Sequence, residues 1–112
     1  MLRRSHTAVL EKNETYTSNF ETEPYEVGWA SEATWFVRIT ETSGSNVKLR
    51  AYGQISPDGL YWSDKSDRAM EMDDCGQAHL SLRDFGSWLR LRVEIEGDEP
   101  SVKLMIVLAL KE

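Results

Sequence analysis

Cys75 and His79 stand four residues apart, and a thiol beside an imidazole is the beginning of either a zinc site or a nucleophilic pair. Neither is completed. Zinc asks for three or four convergent ligands, and the other histidine, His6, lies near the N-terminus. A nucleophilic pair asks for a third group to orient the imidazole and for an oxyanion loop, and the sequence offers neither. Asp58, Asp64, Asp67, Asp73 and Asp74 are hard oxygen ligands of the kind calcium takes from loops. Their spacing lacks the glycine and terminal glutamate of a calcium-binding loop, and aspartate belongs in turns for backbone reasons as well. Glu11, Glu14, Glu21, Glu23 and Glu26 are irregularly spaced and read as a solvated acidic edge. The glycines do not gather into a phosphate cradle. The expectation is no catalytic residue, no metal and no cofactor.

Aromatic side chains offer a different chemistry. Tyr52, Tyr61 and Trp62 carry flat faces on which a sugar ring could stack, against the plainer reading that Trp62 plugs a core beneath a hairpin. Asp58, Tyr61 and Trp62 therefore mark a candidate ligand loop. Lys48, Arg50, Arg90 and Arg92 could form a local basic patch, but the chain carries 13 cationic against 19 acidic side chains, a net charge of −6. Nucleic acid asks for a basic stripe, so no nucleic-acid partner is expected.

The elements that must position these residues are strands. In residues 47–55, Val47, Leu49, Ala51, Gly53 and Ile55 share one parity while Lys48, Arg50, Tyr52 and Gln54 share the other. Trp35, Val37 and Ile39 alternate in the same way with Phe36, Arg38 and Thr40. Residues 42–46 have the composition and length of a hairpin turn between these two strands. Ser56-Pro57-Asp58-Gly59 has the residue order of a type I turn. Further strands are expected over residues 5–10 and 15–20, separated by a polar turn at 11–14, with a short edge strand marked by Tyr25, Val27 and Trp29. Pro24 cannot donate to a ladder and breaks the chain before that edge strand. Met70 and Met72 share a parity, as do Ala78, Leu80 and Leu82.

Residues 87–96 alternate most clearly, with Leu89, Leu91, Val93 and Ile95 inward and Arg90, Arg92, Glu94 and Glu96 outward. After a turn at 97–100, the closing strand puts Val102, Leu104, Ile106, Leu108 and Leu110 on the core parity. Met105, Val107 and Ala109 leave its other face apolar too. A strand that is apolar on both faces lies inside a molecule or beneath a neighbour. Met105, Val107 and Ala109 thus form a candidate oligomer or assembly face. The rival is a covering loop from residues 21–33.

About eight short strands with no sustained 3.6-residue periodicity predict an all-β chain. The expected fold is an antiparallel β-sandwich, jelly-roll or Greek-key-like, with residues 1–112 as one domain. No apolar run approaches the ~18 residues of a membrane span, and no apolar stretch follows the arginines near the N-terminus as a secretory signal requires. Cys75 is the lone cysteine, so no internal disulfide forms, which fits synthesis in a cytoplasm.

The order of these signals resembles a group of small β-sandwich structural proteins of tailed bacteriophages and prophages. It is carried by Thr40-Glu41-Thr42-Ser43-Gly44-Ser45, then Ile55-Ser56-Pro57-Asp58-Gly59 with Trp62 three residues on, then Trp88-Leu89-Arg90-Leu91-Arg92-Val93, and Gly97-Asp98-Glu99-Pro100-Ser101 before the closing strand. The similarity covers residues 15–112. The chain departs from the group in carrying Asp98-Glu99 where small residues are usual, and in its charged segment 65–74. Discoidin-like sugar-binding sandwiches share the Asp-Gly-x-x-Trp turn and an Arg-bearing strand.

The resemblance implies a non-enzymatic virion component, such as a capsid decoration or minor head protein. Such a protein assembles as a homo-oligomer, for instance a trimer, and docks on a larger assembly such as a capsid. The alternative is a carbohydrate- or small-ligand-binding module built on the Asp58–Trp62 loop.

Overall fold

A computed structural model describes residues 3–65 and 68–112. Its strands are β1 (Ser5–Tyr16), β2 (Phe20–Glu21), β3 (Tyr25–Glu26), β4 (Glu32–Ser56), β5 (Ser63–Asp64), β6 (Met70–Met72), β7 (Gly76–Arg83) and β8 (Trp88–Lys111). All pairings are antiparallel and the described residues contain no helix. The all-β sandwich expected from the alternation is the fold observed.

Two strands carry the rest. β4 and β8 run antiparallel from Glu32↔Lys111 to Ser56↔Trp88, one ladder with register shifts only around residues 39–48. At about 3.3 Å per residue such a ribbon would extend about 80 Å if straight. The longest dimension of the molecule is 48 Å, because the ribbon folds over at a corner. There Gly44 and Asn46 of β4 have φ of 104° and 56°, and Gly97 and Glu99 of β8 have φ of 137° and 49°. These left-handed conformations aim both strands around the bend, and Ser45 still pairs with Asp98 inside it.

Folding over creates two layers. The first comprises β1, residues 101–111 of β8, residues 32–43 of β4 and β7. The second comprises β2, β3, residues 88–98 of β8, residues 45–56 of β4, β5 and β6. Between them lies a core of Trp35, Val37, Ile39, Leu104, Ile106 and Leu108 from one side against Leu49, Ala51, Leu89, Leu91 and Val93 from the other. The layers approach closely at Gly53, where a Cβ would stand 2.6 Å from Leu82 Cδ1 and 3.0 Å from Trp35 Cζ3. The outer strands turn the same corner. β1 ends opposite Val102 in the first layer while β2 begins opposite Val93 in the second. β6 lies against residues 49–51 while β7 begins opposite Ile39.

The structure corrects three expected turns. Residues 42–46 do not close a hairpin: Trp35 pairs with Leu108 and Leu80, and Ala51 with Val93 and Met70, so the flanking segments are halves of one strand. Residues 97–100 likewise continue β8. Residues 11–14 are not a turn but an irregular stretch of β1, with register shifts between Val9 and Glu11 and between Glu11 and Glu14 and with Asn13 at φ 55°. The reversal at Ser56-Pro57-Asp58-Gly59 is as expected, since Gln54 pairs with Asp64 and Ile55 with Ser63.

Candidate assembly face and ligand loop

Residues directly opposite in an antiparallel ladder point to the same side, so the register reads off the outer face of the first layer row by row. One row is Thr7, Ala109, Thr34 and Ser81. The next is Val9, Val107, Phe36 and His79, and a third holds Met105, Arg38 and Gln77. Met105, Val107 and Ala109 thus fall on one surface, joined by Phe36 from β4 and Val9 from β1. Val107, Phe36, Met105 and Ala109 are half-buried by their neighbours, and Val9 is 56% exposed. The rival covering loop is used elsewhere. β2 and β3 pair with residues 88–93 at the edge of the second layer, Val27 is buried in the core, and Thr22 donates its N–H to the Leu91 carbonyl.

An open cavity of about 170 Å³ lies on this face, lined by Glu32, Thr34, Phe36, Ala109 and Lys111. The Glu32 carboxylate is held by Arg83 at 2.6 Å and Arg3 at 3.4 Å. Among the described residues Lys111 has no carboxylate partner, and Arg38 donates to the neutral Gln77 oxygen. The rim of the apolar stripe is therefore cationic although the chain is acidic. Sequence reasoning overlooked Phe36 and Val9. The available signal was that Phe36 is a large apolar residue among Thr34, Arg38 and Thr40 on the solvent parity.

The candidate ligand loop is a rigid reversal. The Asp58 carboxylate accepts the backbone N–H groups of Leu60 at 2.9 Å and Tyr61 at 3.2 Å and the Ser56 hydroxyl at 3.0 Å. Ser56 Oγ in turn accepts the N–H of Gly59 at 2.8 Å. The N–H bonds from Leu60 and Tyr61, then the Ser56 hydroxyl, hold the Asp58 carboxyl below its usual range. Gly59, at φ 80°, lies against the Trp88 ring. Leu60 and Tyr61 project from this tip at 76% and 80% exposure. Trp62 is no core plug: it is half-buried at the surface, with the Arg90 guanidinium 4.5 Å above its ring.

The outer face of the second layer neutralises itself. Gln54, only 7% exposed, donates Nε2 to Asp64 and accepts from Arg90 Nε at 2.7 Å. Arg92 pairs with Asp64 and Glu94 and lies 4.2 Å over Tyr52. Arg50 bonds Glu71 and Glu96, and Lys48 approaches Glu71 at 3.8 Å. The Gln54 hydrogen bond, aided by Arg92 against the cost of burial, keeps the Asp64 carboxyl low. The basic patch expected from Lys48, Arg50, Arg90 and Arg92 is thus largely paired off.

His79 faces Phe36 at 6.1 Å, and Cys75 is exposed at the corner between β6 and β7. Among the described residues no group of three or more His, Cys, Asp or Glu converges to hold a metal ion. Asp67, one of the aspartates weighed for calcium, lies outside the described residues, as do Met1 and Leu2. No described helix is long and apolar enough to cross a membrane.

No protein-family model matches the sequence, and no curated protein matches it. Solved structures do. The chain is similar to one from infectious bursal disease virus, Gx strain, at 12% identity and a TM-score of 0.66, over 97% of this chain and 32% of that one. The VP2 protein of the same virus, in T=1 particles, gives a TM-score of 0.65 at 10% identity. The SPBc2 prophage-derived protein YomS matches at 11% identity and a TM-score of 0.53, over 100% of this chain and 96% of that one. The PBSX exported protein XepA matches at 10% identity and a TM-score of 0.59, over 97% and 36%. The chain thus spans about a third of the viral and XepA chains and nearly all of YomS. At such identities the likeness is one of fold, and a prophage-derived protein and a protein of viral T=1 particles are among those that share it.

Proposed function

We propose that this chain is a non-enzymatic structural protein of a phage-type virion, a capsid decoration or minor head protein. In this reading residues 1–112 act as one β-sandwich unit that self-associates and docks on a larger protein assembly, with neither nucleic acid nor membrane as its partner. The observation that carries the reading is the apolar outer face of the first layer. Met105, Val107 and Ala109 with Phe36 and Val9 form a stripe that no other described segment covers. Exposed contiguous apolar surface of this kind marks interaction sites. The fold likeness to a prophage-derived protein and to a protein found in T=1 viral particles supports the same direction. The ligand-binding alternative is less favoured, because the Asp58 carboxylate is engaged by its own turn and one face of Trp62 by Arg90.

The test is the mass of the purified protein by light scattering across a dilution series. A defined oligomer that dissociates on Val107→Asp, with the variant still folded by circular dichroism, is the expected result. A monomer at every concentration would overturn the self-association. Recovery of the chain in gradient-purified phage particles is the matching test of its place in a virion.

A further inference from the structure

Three large hydrophobic side chains are well exposed among the described residues: Val9, Leu60 and Tyr61. They fall in two places. Val9 belongs to the apolar stripe on the outer face of the first layer, and Leu60 with Tyr61 forms the hairpin tip between β4 and β5 in the second layer. At 76% and 80% exposed, the tip residues are not covered by their own copy. The rigid turn beneath them means that little ordering remains to be done on binding, which is the condition under which an aromatic anchor contributes most.

The stripe offers a matching recess. Its open cavity of about 170 Å³, floored by Phe36, Thr34 and Ala109, has room for an aromatic ring; a cavity of roughly 150 Å³ holds benzene. Charge agrees with shape. The Lys111 ammonium on the cavity rim has no carboxylate partner among the described residues, and the tip carries the Asp58 charge, whose hydrogen-bond donors (the Ser56 hydroxyl and the Leu60 and Tyr61 N–H groups) are neutral and leave it uncompensated. Two stripes packed face to face would instead gather the Lys111 and Arg38 cations of both copies around a dry centre. The acidic group lining that cavity, Glu32, is already held by Arg83 and Arg3.

We infer that copies of this chain associate head to tail, with the Leu60–Tyr61 tip of one copy seated in the Phe36–Ala109–Lys111 recess of the next. This rests on the proposed self-association and specifies its geometry. A contact between two different patches propagates: it closes into a ring if the rotation between copies allows and otherwise extends as a filament.

Two variants test it, both at outward-facing positions. The tip variant is Leu60→Ser with Tyr61→Ser. The face variant is Ala109→Glu, which fills the recess and sets a carboxylate against the Asp58 charge of the incoming tip, and Thr34→Glu on the same lining replaces it if Ala109→Glu fails to fold by circular dichroism. Each alone is expected to raise the concentration for half-assembly at least about tenfold, as losing one anchor at an interface does. Mixed at equal concentration, the two variants should form a capped one-to-one dimer, because each retains the patch the other lacks. If the tip variant assembles like the wild type while the face variant does not, head-to-tail packing is overturned and the assembly face stands. Wild-type assembly by both variants would overturn the face as well.

Discussion

Gly44 of β4 lies against the main chain of Glu99 in β8, so close that a Cβ at position 44 would stand 2.5 Å from the Glu99 carbonyl oxygen. Its φ of 104° is one that side chains resist. Gly97 answers from the other strand, where a Cβ would meet the Ser45 carbonyl oxygen at 2.9 Å. The corner that makes a sandwich out of a ribbon thus requires two glycines, one on each strand, each pressed against the main chain of the other strand. Gly44→Ala should destabilise the fold by about 2–3 kcal/mol through strain and backbone contact combined. Urea unfolding checks it, with Gly86→Ala as control, since a Cβ there meets nothing nearer than 3.9 Å.

Gln54 ties two charged side chains, Asp64 and Arg90, together from a buried position. Gln54→Leu should cost about 1–3 kcal/mol, because Asp64 and Arg90 each lose a partner that water replaces poorly. Gln54→Glu keeps the shape but sets a carboxylate against Asp64. Its destabilisation should shrink as pH falls and the new pair shares a proton, and thermal melts of both variants between neutral and acid pH separate the two effects.

Asp58 makes the hairpin tip sensitive to acid. Its folded pKa lies below the ordinary value of 3.8 because the N–H groups of Leu60 and Tyr61 favour the carboxylate. A depressed pKa contributes stability above the unfolded value that is lost as pH falls through the folded one. The tip should loosen in a window that opens near pH 3.8 and extends below it. The protection of the Leu60 and Tyr61 amides against hydrogen exchange, relative to the intrinsic rate at each pH, should fall there. Asp58→Ala should show the lowered protection already at neutral pH.

Tyr16 gives the opposite sign at the alkaline end. Burial first, then the hydrogen bond to Glu11 and the charges of Glu11 and Glu14, push its pKa up to about 12 from 10.0. It also stacks on Phe20 with ring centroids 3.7 Å apart. Since the folded pKa is raised, the stability tied to the neutral phenol is intact below pH 10.0 and lost as pH rises through about 12. An absorbance titration should show a phenolate component with that midpoint, and Tyr16→Phe should remove it.

The alternation of Leu89, Leu91, Val93 and Ile95, and of Trp35, Val37 and Ile39, was enough to read the strands and the core, because period-2 burial is a local property of sequence. The path of the chain was not local. Gly44 and Asn46 have the composition of a hairpin turn, and the same left-handed residues serve a bend that keeps its direction. What separates the two outcomes is a partner more than fifty residues away, as Ser45 and Asp98 show. The apolar outer face of the first layer was half legible. Met105, Val107 and Ala109 declared themselves as apolar residues on the wrong parity, whereas Phe36 and Val9 join them only once the register is known. Trp62 was misjudged as a core plug because nothing in its neighbourhood announces that Arg90 will cover its ring.

The long ladder between β4 and β8 also sets the timing of folding. Residues 32–56 have their principal partner in residues 88–111, and β1, β2 and β3 have theirs in the same strand. On the ribosome, β1, β2 and β3 must wait without a ladder until β8 is made, while β4 can pair only with β5, β6 and β7 and keeps its other edge open. Pairing of such high sequence separation is slow, and open edges invite wrong partners in the interval. A nascent chain stalled before β8 should therefore be most sensitive to protease over β1, β2 and β3, and release of β8 should protect them in one step.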